Sequence, residues 1–194
     1  MKRIFIIIVL VVSSISLFAQ TSSGVWNSNT ATYTNSAHKI TWQLLDEFTW
    51  VGRPILTDNT LLKVRNDDTH ILVTLGVGQD EVEEGDPWDY ISQYESAQMI
   101  QLKKLQAQQN GMTFIGTKAV KSQLCGIHAI KTRTDMKKYY PEYDQTVHSI
   151  EIMYQLLNNA RMYTITVTAL SVLEEEIDIF DRLAVQLFNG FSIK

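Results

Sequence analysis

The sequence predicts an α+β fold, an antiparallel β-sheet covered by two main helices. Three observations carry this. Apolar and polar residues alternate along His70 to Val77 and again from Ile150 to Val167, the period of strands with one buried face. Two other stretches, Trp88 to Gln109 and Val172 to Phe188, gather apolar residues on one stripe at helical spacing. The order is strands, helix, strands, helix, with no internal repeat or linker, which favours helices laid on an antiparallel sheet.

The chain opens on a targeting pattern. Lys2 and Arg3 form a short basic region, Ile4 to Val12 is an unbroken apolar run, and Ala19 offers a small residue at a cut point. The apolar stretch falls short of the ~20 residues of a spanning helix. Residues 1–19 therefore read as a signal peptide, and no later run is long and apolar enough to span a bilayer. Residues 20–37, rich in Ser, Thr and Asn, read as a flexible lead-in in which Trp26 and Tyr33 are the anchoring candidates. The domain proper is expected over 38–194.

Ile40, Trp42 and Leu44 alternate in a first strand. Leu61 to Arg65 and His70 to Val77 form a hairpin about the turn cluster Asn66-Asp67-Asp68-Thr69. An acidic loop with Asp80, Glu81, Glu83 and Glu84 follows, and Asp86 caps a helix with Pro87 at its first position. That helix is predicted from about Trp88 to Gln109, with Trp88, Ile91, Tyr94, Met99, Leu102 and Leu105 on its buried stripe, and Asn110-Gly111 as its stop. Strands near Thr113 to Lys121 and Cys125 to Arg133 lead to a loop from Met136 to Asp144. The next hairpin turns at Asn158-Asn159, pairing Leu157 with Ala160, Tyr154 with Tyr163, Ile152 with Ile165 and Ile150 with Val167. A last helix, boxed by Ser171 and Glu174, presents Leu173, Ile177, Phe180, Ala184 and Leu187 on one face. Phe191-Ser192-Ile193 closes the chain as a short extended tail.

Composition bounds the chemistry. The net charge is −4, more negative still once Lys2 and Arg3 are cut away, which argues against a phosphate-backbone partner. Cys125 is the one cysteine, so no intrachain disulfide forms; it is expected as a small buried apolar residue. The four histidines, His38, His70, His128 and His148, show no zinc-binding spacing, and His128 and His148 are expected to face opposite ways. Cys125 and His128 leave a strand from opposite faces, which excludes them as a nucleophile and base. No nucleophile elbow, P-loop or dinucleotide fingerprint occurs. No catalytic residue, metal ligand or cofactor is therefore assigned. The acidic loop offers oxygens for Ca²⁺ but lacks the ligand pattern of an EF-hand; solvated loop charges are the competing reading.

The best binding candidate is Lys137, Lys138, Tyr139, Tyr140 and Tyr143. Tyrosine beside lysine supplies contact area at low entropy cost. The competing reading folds one or two of these rings back onto the sheet.

The order of elements resembles the PsbP-like family. Three stretches carry the resemblance: Ile71-Leu72-Val73-Thr74-Leu75, the strand–turn–strand from Ile150 to Val167 with Tyr163 just after the turn, and the ending Leu187-Phe188-Asn189-Gly190-Phe191-Ser192-Ile193. In that ending Gly190 stands where the family pattern has serine. The family includes the accessory protein of the photosystem II oxygen-evolving complex and small exported bacterial proteins. The resemblance implies an α/β/α sandwich and a binding or assembly role rather than catalysis. Nothing in this chain marks a photosynthetic partner. The expectation is an exported module, periplasmic or secreted, that binds an unknown protein or envelope component, with no nucleic acid and no integral span after signal cleavage. The alternatives are an exported hydrolase whose site is assembled from residues distant in sequence, and a structural protein held on an uncleaved anchor.

Overall fold

The computed structural model describes residues 24–53, 55, 59–82 and 85–194. The expected signal peptide lies outside them, as do Glu83 and Glu84 of the acidic loop. The fold is α+β, with two antiparallel sheets and helices on both sides of the larger one. Its strands are β1 (Gly24–Asn27), β2 (Thr32–Asn35), β3 (Ile40–Gln43), β4 (Trp50–Gly52), β5 (Thr60–Asn66), β6 (Ile71–Val77), β7 (Thr113–Leu124), β8 (Ile127–Tyr140), β9 (Gln145–Asn158), β10 (Arg161–Val172) and β11 (Phe191–Ile193). Its α-helices are α1 (Ile91–Tyr94), α2 (Ala97–Gln109) and α3 (Ile177–Asn189). The small sheet runs β1-β2-β3-β11 and the large one β4-β5-β6-β10-β9-β8-β7.

Strand parity places every layer. On β9 and β10 the side chains of Ile150, Ile152, Leu156, Tyr163, Ile165 and Val167 are buried on one face of the large sheet. The small sheet and α3 cover that face: His38 meets Tyr163, and Phe188 of α3 meets Tyr154. On the other face Glu151 takes Lys103 of α2 at 2.7 Å, and Gln155 takes the hydroxyl of Tyr94 on α1. Three layers result, with α1 and α2 opposite α3.

Residues 24–37 correct the lead-in expectation. From Gly24 onward they form β1 and β2, and β2 pairs with both β1 and β3. Tyr33 and Asn35 are buried, and the Asn35 amide donates to the Tyr33 hydroxyl at 3.0 Å. A Ser/Thr/Asn-rich strand needs few inward side chains, so its composition conceals it.

The long helix is also corrected. Asp86 caps as read, its carboxylate accepting the Trp88 N–H at 3.0 Å. A 3-10 turn (Pro87–Tyr90) and α1 then stop at Glu95. Ser96 starts α2 afresh, its Oγ accepting the Met99 N–H at 3.2 Å. Serine at mid-helix competes for backbone donors, and here it caps instead. The Glu95 carboxylate meanwhile accepts the Ala119 N–H of edge strand β7 at 2.7 Å. The reset breaks the predicted stripe: Leu102 and Leu105 are 53% and 45% exposed, and Ala107 is the buried residue of α2. Gly111, at φ +66°, ends the helix as expected.

The β9–β10 hairpin holds its faces but not its register. The turn is Asn159-Ala160, both at positive φ, and Leu156 faces Tyr163, Tyr154 faces Ile165 and Ile152 faces Val167. Alternation fixes parity only, and the pairing differs from expectation by two residues, which preserves parity. Contacts outside the hairpin decide the turn: β10 also pairs with β6, and Ala160 accepts the Val82 N–H at 2.8 Å.

At the C-terminal end, β10 runs through Val172, where a helix was expected. Glu176, not Glu174, reaches back to the Leu173 N–H at 3.0 Å; Glu174 pairs with His148 at 2.7 Å. α3 then buries Phe180, Ala184, Leu187 and Phe188. Cys125 is corrected too. It is an exposed residue of the left-handed β7–β8 turn with Gly126, and its thiol donates to the Phe191 carbonyl at 2.8 Å. The residue is exposed as a whole, but the sulfur side turned toward β11 is partly desolvated, which raises the thiol above its ordinary value.

Candidate functional site

The segment read as a loop from Met136 to Asp144 is mostly strand. β8 continues to Tyr140, pairing Lys137 with His148, Lys138 with Val147, Tyr139 with Thr146 and Tyr140 with Gln145. The turn itself is the 3-10 turn Pro141–Tyr143 followed by Asp144 in the left-handed conformation, φ +48°. Proline fits the first position of such a turn because it needs no N–H there. The sequence reading missed the strand because the two lysines and three tyrosines break the apolar alternation.

Extension splits the four candidates on β8 between faces and leaves Tyr143 in the turn. Lys137 and Tyr139 lie on the α3 side, Lys138 and Tyr140 on the α2 side. Lys138 Nζ sits 4.6 Å from the centre of the Tyr140 ring, a cation–π contact that orders both. The Tyr139 hydroxyl donates to Asp144 at 2.7 Å, a bond that also raises its pKa. Tyr139 is 54% exposed and Tyr143 is 75% exposed. Tyr139 thus stands exposed on the paired strands and Tyr143 on the turn that joins them, while Lys138 covers the Tyr140 ring.

The histidines have separate partners. His38 Nδ1 meets the Tyr163 hydroxyl at 2.9 Å, His70 Nδ1 meets Arg65 at 3.1 Å, His148 meets Glu174, and His128 Nδ1 meets Asp86 at 2.8 Å. His128 faces the α1 side and His148 the α3 side, as their parity requires. Among the described residues no three His, Cys, Asp or Glu side chains converge as a metal site.

The Asp86 cluster was only half visible in the sequence. The cap was legible; the partner was not, because His128 lies far along the chain. His128 stacks on Trp88 with ring centres 3.6 Å apart, and the Trp88 N–H of the ring donates to Ser122 and Ala129 carbonyls at 3.1 and 3.0 Å. The Trp88 backbone N–H holds the Asp86 carboxyl below its ordinary value, with His128 assisting against desolvation. A depressed carboxyl stabilises the fold above its unfolded pKa, and the contribution fades as pH falls through the folded value. Acidification is therefore expected to loosen the Trp88–His128 stack before the core melts. Tryptophan fluorescence and near-UV circular dichroism followed against pH check this. Asp86→Ala is expected to remove that early acid step.

No helix among the described residues is long and apolar enough to cross a membrane. No family model matches the sequence, and no curated protein matches it. Solved structures do resemble it. The cyanobacterial PsbP of Synechocystis sp. PCC 6803 is 11% identical over 88% of this chain and 95% of that one, at a TM-score of 0.48. The Ran-binding protein Mog1p of Saccharomyces cerevisiae is 10% identical over 86% of this chain and 96% of that one, at 0.47. LpqN, involved in cell envelope biogenesis of Mycobacterium tuberculosis, is 11% identical over 80% and 83%, at 0.42.

Proposed function

We propose that the chain is an exported, non-catalytic binding or assembly module that engages a protein or envelope partner through the β8–β9 tip. The supporting observation is the exposure of Tyr139 and Tyr143 at the end of a long paired hairpin on which Lys138 already lies over the Tyr140 ring. Exposed aromatic rings on a stiff support have little entropy left to lose on binding. Export rests on the Lys2–Ala19 pattern, and mass measurement of the mature N-terminus tests it.

The combined variant Tyr139→Ala, Tyr140→Ala and Tyr143→Ala separates the two readings of the tip. A contact surface predicts a melting temperature within a few degrees of the parent and loss of the partner captured by the parent from an envelope fraction. Rings that serve the core predict a large fall in stability instead, on the scale of about 2 kcal/mol or more.

The hydrolase alternative has one observation in its favour. Asp86 binds Nδ1 of His128, the orientation in which a carboxylate steers a histidine base. A hydrolase reading requires that His128→Gln abolish turnover of activated ester substrates by the parent protein.

A further inference from the structure

A second site lies at the seam between the two sheets. The β2–β3 loop and the β9–β10 turn face each other across an open cleft of about 470 Å³, lined by Ala37, His38, Lys39, Asn159, Arg161 and Tyr163. Every charged or titratable side chain in this lining is basic or, in Tyr163, a neutral phenol. In a chain of net charge −4 that is a local reversal of sign. Neither Lys39 nor Arg161 has an ion-pair partner among the described residues.

The lining is held in place from outside the cleft. The side-chain Oδ1 of buried Asn35 accepts the His38 N–H at 3.1 Å, and the Lys39 backbone carbonyl accepts the Lys194 N–H at 3.2 Å. Lys39 and Asn159 both hold left-handed backbone, φ +52° and +50°, which aims their side chains off the strand directions. His38 is tied to the Tyr163 hydroxyl, and its pKa is lowered by burial and by the charge of Arg161. Both effects favour the neutral imidazole, which offers a hydrogen bond beside two full positive charges.

We propose that this cleft binds a phosphate group, with Arg161 and Lys39 as charge partners and His38 and Asn159 as hydrogen-bond partners. Guanidinium and ammonium groups form short, charge-assisted bonds to phosphate oxygens, and Arg161 offers them in pairs. The cleft exceeds a bare phosphate ion in volume, which leaves room for the organic part of a phosphomonoester. The acidic loop approaches the back of the same turn, through the Val82–Ala160 bond and a Gly78 N–H to Met162 carbonyl bond of 2.8 Å. Asp80 and Glu81 on it are the groups that could oppose the site.

The test is an NMR titration of the full chain with sodium phosphate and with phenyl phosphate, against sodium chloride at matched ionic strength. Saturable shifts at His38, Lys39 and Arg161 are expected with both phosphates and not with chloride. Tighter binding of phenyl phosphate identifies an ester as the preferred form, and equal binding identifies the free ion. Arg161→Gln is expected to weaken binding roughly tenfold or more. Lys39→Asn, which keeps a residue tolerant of left-handed backbone, is expected to weaken it in the same direction. Shifts no larger than those in chloride, or an Arg161→Gln variant that binds like the parent, overturn the proposal.

Discussion

Replacing Trp42 by alanine is expected to remove about 3–5 kcal/mol of stability, a large part of what a domain of this size holds. Trp42 is fully buried at the centre of the small sheet, opposite Tyr33 on β2 and Phe191 on β11. Its ring meets Phe191 edge-on with centres 5.5 Å apart, and its indole N–H donates to the Leu187 carbonyl at 2.8 Å. That carbonyl belongs to the last turn of α3, where helical acceptors lack partners within the helix. One side chain thus joins the N-terminal hairpin, the C-terminal strand and the covering helix. Trp42→Phe isolates the polar part: it keeps most of the buried area but leaves the Leu187 carbonyl without its donor, at about 1–3 kcal/mol. Leu102→Ala on the exposed side of α2 is the contrast and is expected to stay within about 0.5 kcal/mol of the parent. Urea midpoints at constant slope measure all three. A Trp42→Ala midpoint close to that of Leu102→Ala would contradict the packing described.

Why some elements were legible and others not follows from which signals are local. Ile71 to Val77 and Ile150 to Val167 alternate without interruption, so strand type and buried face could be read directly. The same alternation is blind to a two-residue slide, and the β9–β10 turn therefore fell one residue later than its asparagines suggest. Gly111 and Asp86 mark the ends of helical segments by chemistry that acts within a few residues. Ser96 carries an equally local signal, yet a continuous apolar stripe masked it, and Leu102 and Leu105 were placed in a core they do not reach. β2 hid behind threonine and asparagine, which leave Tyr33 as the one apolar inward side chain and so give no alternation to read. The binding candidates show the same division. Lys137 to Tyr143 stood out as a run of residue types. The phosphate cleft did not, because His38, Lys39 and Arg161 come together only when β3 is laid across the end of β10.

Gly190→Ala is expected to destabilise the fold strongly although it adds a single methyl group. Gly190 has an ordinary helical φ of −78°, so backbone freedom is not its role. Space is. A Cβ built there falls 1.8 Å from the Gln43 carbonyl oxygen and 3.0 Å from its carbon, and both are backbone atoms of β3. The Gly190 carbonyl also accepts the Gln43 N–H at 2.9 Å, so the two chains touch through two groups at once. Relief requires moving β3 or the end of α3, and Trp42, the next residue inward, resists that. Overpacking of this kind costs about 1–3 kcal/mol, more where backbone must move. Gly111 supplies the comparison, since it also ends a helix but for the other reason. Its φ of +66° is a left-handed conformation, and the nearest atom to an added Cβ is the flexible Lys138 Nζ at 3.9 Å. Gly111→Ala should therefore cost only the conformational penalty, about 1 kcal/mol. Serine carries the same Cβ, so Gly190→Ser should fail as Gly190→Ala does. Hydrogen exchange locates the damage: Gln43 and the β11 amides should lose protection first in the Gly190 variants, while the β8–β9 amides keep theirs. Equal stability of Gly190→Ala and the parent would mean that β3 does not approach the end of α3 as closely as described.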